Sequence, residues 1–140
     1  MKEKIILLSG PTATGKSSLA LKIAETIDAE IINADSIQLY HDLSILTARP
    51  NTKKEKIKHH FYGFLNGDIS WSVGKWINEV SKIINDIIER KKVPIIVGGT
   101  GFYFKAITDG LSPIPEIDKS IRSEIESELE KMVLRNYTRN

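Results

Sequence analysis

The segment Gly10-Pro11-Thr12-Ala13-Thr14-Gly15-Lys16-Ser17 fits the phosphate-binding pattern G-x-x-x-x-G-K-[ST]. It lies between the apolar run Ile5-Ile6-Leu7-Leu8 and the helix-like Ser18-Leu19-Ala20-Leu21-Lys22-Ile23-Ala24. That context constrains the chain more than any other feature, because the pattern has physical content only where a strand feeds the loop and the loop feeds a helix. Glycines let the backbone curl around a phosphate chain, so that successive N–H groups and the helix N-terminus face the negative charge. Lys16 adds a mobile positive charge, and the Ser17 hydroxyl is suited to holding Mg²⁺. The bland alternative is a strand-to-helix turn that binds nothing; the full strand, loop and helix context favours a phosphorylated ligand. Gly10, Pro11, Thr12, Ala13, Thr14, Gly15, Lys16 and Ser17 are therefore the expected diphosphate- or nucleotide-binding residues.

The same unit recurs along the chain. Lys4–Ser9 reads as a buried strand, and Lys16–Ile27 as a helix with Leu19, Ile23 and Ile27 at helical spacing. Glu30–Asn33 reads as a second short strand, leading to Asp35. From Tyr40 to His60 no periodicity is sustained, and a loop region with room for a short helix is expected. Ser70 or Ser72 can cap a helix whose face carries Val73, Trp76, Ile77, Val80, Ile83, Ile84, Ile87 and Ile88, the strongest amphipathic pattern in the chain. Val93–Val97 reads as a third strand that runs into Gly98-Gly99-Thr100-Gly101 and a helix over Phe102–Thr108. Breakers from Asp109 to Pro115 mark a linker, residues 109–117. Asp118 can cap a last helix, 118–134, with Ile121, Ile125, Leu129 and Met132 on a narrow stripe. There is no internal repeat or low-complexity tract. Alternating strands and helices predict one P-loop-type α/β domain over residues 1–140, a parallel sheet flanked by helices whose crossovers bring the loops after the strands to one sheet edge.

Composition sets the outer limits. The chain has 140 residues, 41% hydrophobic and 27% charged, enough for one core of ordinary size. A net charge of +2 is too weak to argue for nucleic acid alone, since local patches make a phosphate-binding surface. Without cysteine, disulfides and thiolate metal sites are excluded, and a reducing, cytoplasmic compartment is expected. No apolar run reaches the roughly 18 residues of a membrane span. Met1-Lys2-Glu3-Lys4 leads directly into a strand rather than a signal peptide, so a soluble protein with no membrane partner is expected.

Asp35 brings a carboxylate to the sheet edge that holds the glycine loop. It reads as a general base beside the bound phosphates, as an Mg²⁺ ligand, or as a turn aspartate. Ser36, Gln38 and Tyr40 alternate with Ile37 and Leu39, and Gln38 can read a base edge through two hydrogen bonds, although alone it would be ordinary surface. Gly98-Gly99-Thr100-Gly101-Phe102-Tyr103 places N–H groups and a hydroxyl at the end of the third strand. The pair His59-His60 points two ways along the chain and has no evident third ligand, so a structural or surface role outweighs a metal site. Arg49, Lys53, Lys54, Lys56 and Lys58 could meet a nucleic-acid backbone or form a solvated charge run, the more common case. Trp71 and Trp76 fit packing better than base stacking.

Four blocks, Gly10–Ser17, Asn33-Ala34-Asp35-Ser36-Ile37-Gln38-Leu39-Tyr40, Thr47-Ala48-Arg49-Pro50 and Val97-Gly98-Gly99-Thr100-Gly101-Phe102-Tyr103, resemble in order and spacing the tRNA dimethylallyltransferase family, also called tRNA isopentenyltransferases. The second and fourth blocks carry the likeness, since many kinases share the first. The resemblance runs from the amino terminus to about Lys131. It implies transfer of a dimethylallyl group from dimethylallyl diphosphate to N6 of the adenine just 3′ of the anticodon. The loop would then hold a prenyl diphosphate rather than a nucleotide, with Lys16, Ser17 and Thr12 at the diphosphate and Mg²⁺ offsetting charge on the departing pyrophosphate. Asp35 would accept the amine proton, and Asp35, Ser36, Ile37 and Gln38 would grip the extruded base. Thr100 and Arg122 match family positions that approach the tRNA, and Thr100 joins Asp35 as an expected catalytic residue. The implied partners are the tRNA anticodon stem-loop and dimethylallyl diphosphate; the implied state is a monomer.

Two departures stand out. Leu46 precedes Thr47 where the family shows glycine, and Arg49 stands for its lysine. Family members are also longer, with further strands, a helical insertion for the anticodon stem-loop and a basic residue for pyrophosphate. The chain resembles an amino-terminal part of such a protein, and past Lys131 the likeness fades. Three strands with an uncovered edge are expected to be marginally stable alone and impaired in turnover. Two rival readings are a small P-loop kinase using ATP, which leaves the second and fourth blocks unexplained, and a noncatalytic module that keeps diphosphate or tRNA affinity.

Overall fold

The structure, a computed structural model, describes residues 4–52, 56–113 and 118–137. Its elements are β1 (Ile6–Ser9), α1 (Lys16–Thr26), β2 (Ala29–Asn33), β3 (His59–His60), α2 (Val73–Glu89), β4 (Val93–Gly98), α3 (Gly101–Asp109) and α4 (Lys119–Tyr137), with a 3-10 turn at His41–Leu43. The four strands form one parallel sheet in the order β1-β4-β2-β3. Parallel neighbours cannot be joined by tight turns, so helices and long loops carry the chain between them. Every strand ends at the same edge, and there the glycine loop, Asp35 and Gly98 come together.

Each sheet face has its own core. Ala20 and Ala24 of α1 bury against Ala29, Ile31, Ile95 and Val97. On the opposite face Trp76, Val80, Ile84 and Ile87 of α2, with Tyr103 and Phe104 of α3, cover Ile32, Ala34 and Ile96. The α2 positions recur at the helical period predicted from sequence, and Ser72 rather than Ser70 caps the helix, its Oγ accepting from the Lys75 N–H at 3.2 Å. Trp76 is fully buried, stacks on Tyr103 with ring centres 4.1 Å apart, and donates its indole N–H to the Asn33 carbonyl at 3.3 Å. Trp71 meets Phe64 edge-on at 5.4 Å. Both tryptophans are packing residues.

Three expectations are corrected. The first strand is not buried: β1 sits at the sheet edge with Leu7 40% exposed, because β4 inserts between β1 and β2 and leaves β1 a single strand neighbour among the described residues. A fourth strand lies inside the expected loop region, where His59 and His60 pair with Ile31 and Ile32; two residues are too few to show a periodicity. The last helix runs over Lys119–Tyr137 rather than 118–134, with the Asp118 Oδ1 accepting from the Ser120 N–H at 2.8 Å. Its stripe of Ile121, Ile125, Leu129 and Met132 is exposed, and among the described residues nothing covers it. Of the expected linker, residues 114–117 lie outside the described residues.

At the opposite edge from the site a buried carboxylate ties β2 to its neighbours. Glu30, 1% exposed, accepts from the Arg90 guanidinium and lies 2.7 Å from His60 Nε2 on β3, with Lys92 Nζ 3.8 Å away. Arg90 also pairs with Asp86, and Lys92 with Asp28. Burial pushes the Glu30 carboxyl up, but the hydrogen bonds and charges of Arg90 and His60 outweigh it and hold the group at about 2 against an ordinary 4.5. A carboxyl depressed on folding stabilises the native state above its unfolded value, and that stability is lost as pH falls through the folded value. The unfolding free energy from urea titrations at a series of pH values should therefore fall between about pH 4.5 and about pH 2, by a few kcal/mol in all. Glu30→Gln should be less stable at neutral pH and lack most of that acid-side slope.

Candidate active site

The loop Gly10–Ser17 leaves β1 and enters α1 with Ala13 and Gly15 in the left-handed region, at φ 63° and 80°. Its shape is held internally: the Thr14 hydroxyl donates to the Pro11 carbonyl at 2.8 Å, and Lys16 Nζ donates to the same oxygen. α1 has no side-chain cap and no acidic residue in its first turn. Its leading N–H groups and the positive end of its dipole are consequently uncompensated by protein, the arrangement that attracts an anion.

At the end of β2 the chain is pinned by Asn33, 1% exposed. The Asn33 amide donates to the carbonyls of Asp35 and Phe61, both at 3.0 Å, while its oxygen accepts from the Asp35 N–H at 3.1 Å. Asp35 Oδ1 then accepts from the Ile37 N–H at 3.0 Å and closes the turn. Ser36 N–H donates to the Thr100 hydroxyl at 2.9 Å, and Thr100 N–H to the Ala34 carbonyl at 3.1 Å. Gly98 makes this approach possible, since a Cβ there would lie 2.1 Å from the Ala34 oxygen.

A cleft of about 530 Å³ opens at this edge between the loop and Asp35. Thr12 to Ser17 form one wall, Asp35, Ile37 and Gln38 another, and Leu46, Thr47 and Tyr62 a third. The structure thus brings Thr12–Ser17 of the loop, Asp35, Ile37 and Gln38 together around one cleft. Gly10 and Pro11 shape the loop from behind, and Ser36 and Thr100 bond to each other outside the cleft lining. Gln38 Nε2 donates to the Thr47 carbonyl at 2.8 Å, which commits part of its amide to the wall. Arg122 stands apart on α4, 81% exposed and paired with Glu126 at 3.0 Å. Tyr62 is a wall residue that the sequence analysis missed. Burial, and then the charge of Asp35, raise its phenol above the usual range, so it stays neutral next to the carboxylate. Burial, followed by Tyr40 and Asp35, does the same to Tyr103.

Arg49 is internal rather than free for a nucleic-acid backbone. Its guanidinium donates to the carbonyls of Tyr40 at 2.9 Å and His41 at 3.3 Å and folds the Leu43–Ala48 wall back over the cleft. It fits because Gly63, at φ +57°, has no side chain; a Cβ there would sit 2.0 Å from Arg49 Nη1. Lys53 and Lys54 lie outside the described residues, and Lys56 and Lys58 are exposed. His60 serves the Glu30 pair and His59 lies against the Ile57 carbonyl, and no group of three or more His, Cys, Asp or Glu suited to a metal occurs among the described residues. Arg49→Ala and Gly63→Ala should each loosen the same wall, costing about 1–3 kcal/mol. In a double-mutant cycle on thermal unfolding the costs should be clearly less than additive; additive losses would mean that Arg49 and Gly63 act separately.

A glycine loop between the first strand and helix of a parallel sheet, facing a carboxylate at the end of the second strand, defines an α/β domain with a cleft at its strand ends. A sequence model described as IPP transferase matches residues 38–139, and the chain belongs to that family. The match passes Lys131, where the sequence analysis expects the likeness to fade; α4 continues unbroken through that point. A tRNA dimethylallyltransferase of Pelagibacter ubique is 53% identical over 125 residues, covering 89% of this chain and 40% of the relative. A tRNA isopentenylpyrophosphate transferase of Bacillus halodurans superposes with a TM-score of 0.77 at 30% identity, over 93% of this chain and 44% of its own. That of Staphylococcus epidermidis gives 0.72 at 36% identity, over 94% and 42%. The chain spans about 40% of the length of the curated relatives that it matches.

Proposed function

We propose that this chain carries the diphosphate-binding and base-binding part of a tRNA dimethylallyltransferase, which moves a dimethylallyl group from its diphosphate to N6 of the adenine immediately 3′ of the anticodon. The observation that carries this reading is Asp35, held by Asn33 across one cleft from the Gly10–Ser17 loop. The diphosphate lies against the first-turn N–H groups of α1 and Lys16, with Thr12 and Ser17 beside it. The adenine, extruded from its stack, enters opposite, with exposed Ile37 against its face and Gln38 and Asp35 at its edge. An exocyclic amine conjugated with the ring is a poor nucleophile. Asp35 takes its proton as the nitrogen bonds to the prenyl C1, and the pair from the breaking C1–O bond leaves with pyrophosphate. Thr100 positions this machinery through Ser36 rather than by touching the base.

Mg²⁺ fits the donor set: the Ser17 hydroxyl offers oxygen at the loop, and the ion takes few protein ligands when phosphate and water complete its shell. Bound there, it would offset negative charge on pyrophosphate. Arg122 is free to exchange its surface pair with Glu126 for an RNA phosphate, since exposed pairs are worth little. A tRNA substrate also agrees with the cytoplasm as the working compartment.

With labelled dimethylallyl diphosphate, unmodified tRNA and Mg²⁺, Asp35→Asn should lower transfer by about 100-fold or more, and chelation of Mg²⁺ should abolish it. Phosphate release from ATP independent of tRNA, without prenyl transfer, would overturn this reading in favour of a kinase. Diphosphate binding with no transfer, unaffected by Asp35→Asn, would leave a noncatalytic module.

A further inference from the structure

The turn that walls the main cleft carries two adjacent aliphatic side chains held out in water: Ile45 is 92% exposed and Leu46 86%. The backbone beneath them is closely bonded. The Thr47 N–H and hydroxyl both donate to the Leu43 carbonyl, at 3.1 and 2.7 Å, the Ala48 N–H to the Ile45 carbonyl at 3.1 Å, and the Arg49 N–H to the Ser44 carbonyl at 3.0 Å. The Arg49 guanidinium ties the turn to Tyr40, and the Gln38 amide takes the Thr47 carbonyl. Leu46 borders the cleft yet leaves most of its surface in solvent. Single leucines scattered on a surface need no explanation, but an adjacent apolar pair braced at the mouth of a cleft marks a contact surface.

We propose that Leu46, with Ile45 beside it, is a wedge that enters the RNA base stack at the gap the target adenine leaves. The assignment rests on the transferase reading above and adds to it the contact that holds the neighbouring nucleotides. Extruding a base costs the stacking on both of its sides and leaves two apolar base faces turned to an empty gap. An aliphatic side chain inserted there covers both faces and stops the stack from closing, as apolar wedges do at unstacked steps. Such a wedge must lie next to the pocket that takes the extruded base, and it must not give way when the bases press on it. Leu46 meets both conditions. It precedes Thr47, whose carbonyl holds Gln38 at the adenine's edge in that reading, and its turn is fixed by the bonds just described. Glycine, which the family shows at this position, has no side chain to insert, so the wedge is a property of this chain.

An anticodon stem-loop RNA with 2-aminopurine in place of the nucleotide 3′ of the target adenine tests this on the whole chain, because stacking between bases quenches that fluorophore. The unsubstituted protein should raise the emission of the bound RNA. Leu46→Ser should weaken RNA binding by about tenfold and leave the bound emission close to that of free RNA, whereas Leu46→Met, apolar and of similar size, should keep both. Since the side chain is 86% exposed, both variants should unfold at the temperature of the unsubstituted protein. Calorimetry in Mg²⁺ buffer should show dimethylallyl diphosphate binding to them equally well. RNA affinity or emission that does not change in Leu46→Ser would overturn the wedge and leave the transferase reading standing. So would a loss confined to dimethylallyl diphosphate, which would make Leu46 part of the diphosphate ligand's wall. Failure of the unsubstituted protein to bind the RNA would overturn the wedge, and failure to bind dimethylallyl diphosphate as well would overturn both.

Discussion

The side chain of Asn33 makes three hydrogen bonds at once, to the N–H and carbonyl of Asp35 and to the carbonyl of Phe61, in a site that water does not reach. A buried amide left without partners costs more than the bonds it makes contribute, so these segments are held together as a set. One of them carries the carboxylate, and the other carries Tyr62 to the far wall of the cleft. The backbone carbonyl of Asn33 receives the indole of Trp76, which extends the same network into the core between α2 and α3. The position of Asp35 is thus a property of the packed sheet, not of a free loop.

The β2–β4 pair gives this network its rigidity. Gly98 lets Ala34 approach β4 more closely than any side chain would permit, and the Thr100 N–H and hydroxyl take up the backbone groups of Ala34 and Ser36 just past the strand. At the other end of β2, Glu30 is held by Arg90 from the end of α2 and by His60 from β3. β3 is two residues long, and that ion pair supplements a very short ladder. One end of the strand, at the cleft, is organised by neutral amides, the other, away from it, by charges.

Much of this was legible in the sequence, for identifiable reasons. The strand, glycine turn and helix appears twice, and α2 shows a full apolar face with a serine cap, so these elements and the location of Asp35 followed from local pattern. Strand order did not, because nothing in β1 records that β4 will lie beside it, and β1 was expected to be buried. β3 escaped because two residues have no period. Arg49 read as a surface charge because its partners are backbone carbonyls nine and eight residues away and a glycine at position 63, none of which carries a charge to signal the contact. Tyr62 was missed for a similar reason: its neighbours at the cleft come from α1, β4 and the Leu46–Ala48 wall, and only the folded sheet assembles them.

The order β1-β4-β2-β3 also dictates when the site can exist. β1 and β2 precede β4 in the chain but touch each other only through it. While Val93–Gly98 is still inside the ribosome, β1 has no hydrogen-bonding neighbour, and the glycine loop hangs from an unpaired strand. The bonds from Thr100 to Ala34 and Ser36 come later still. Such non-local pairing is slow, since loop closure must precede the contacts that reward it. The glycine loop, encoded nearest the amino terminus, is therefore among the last parts of the sheet to take shape.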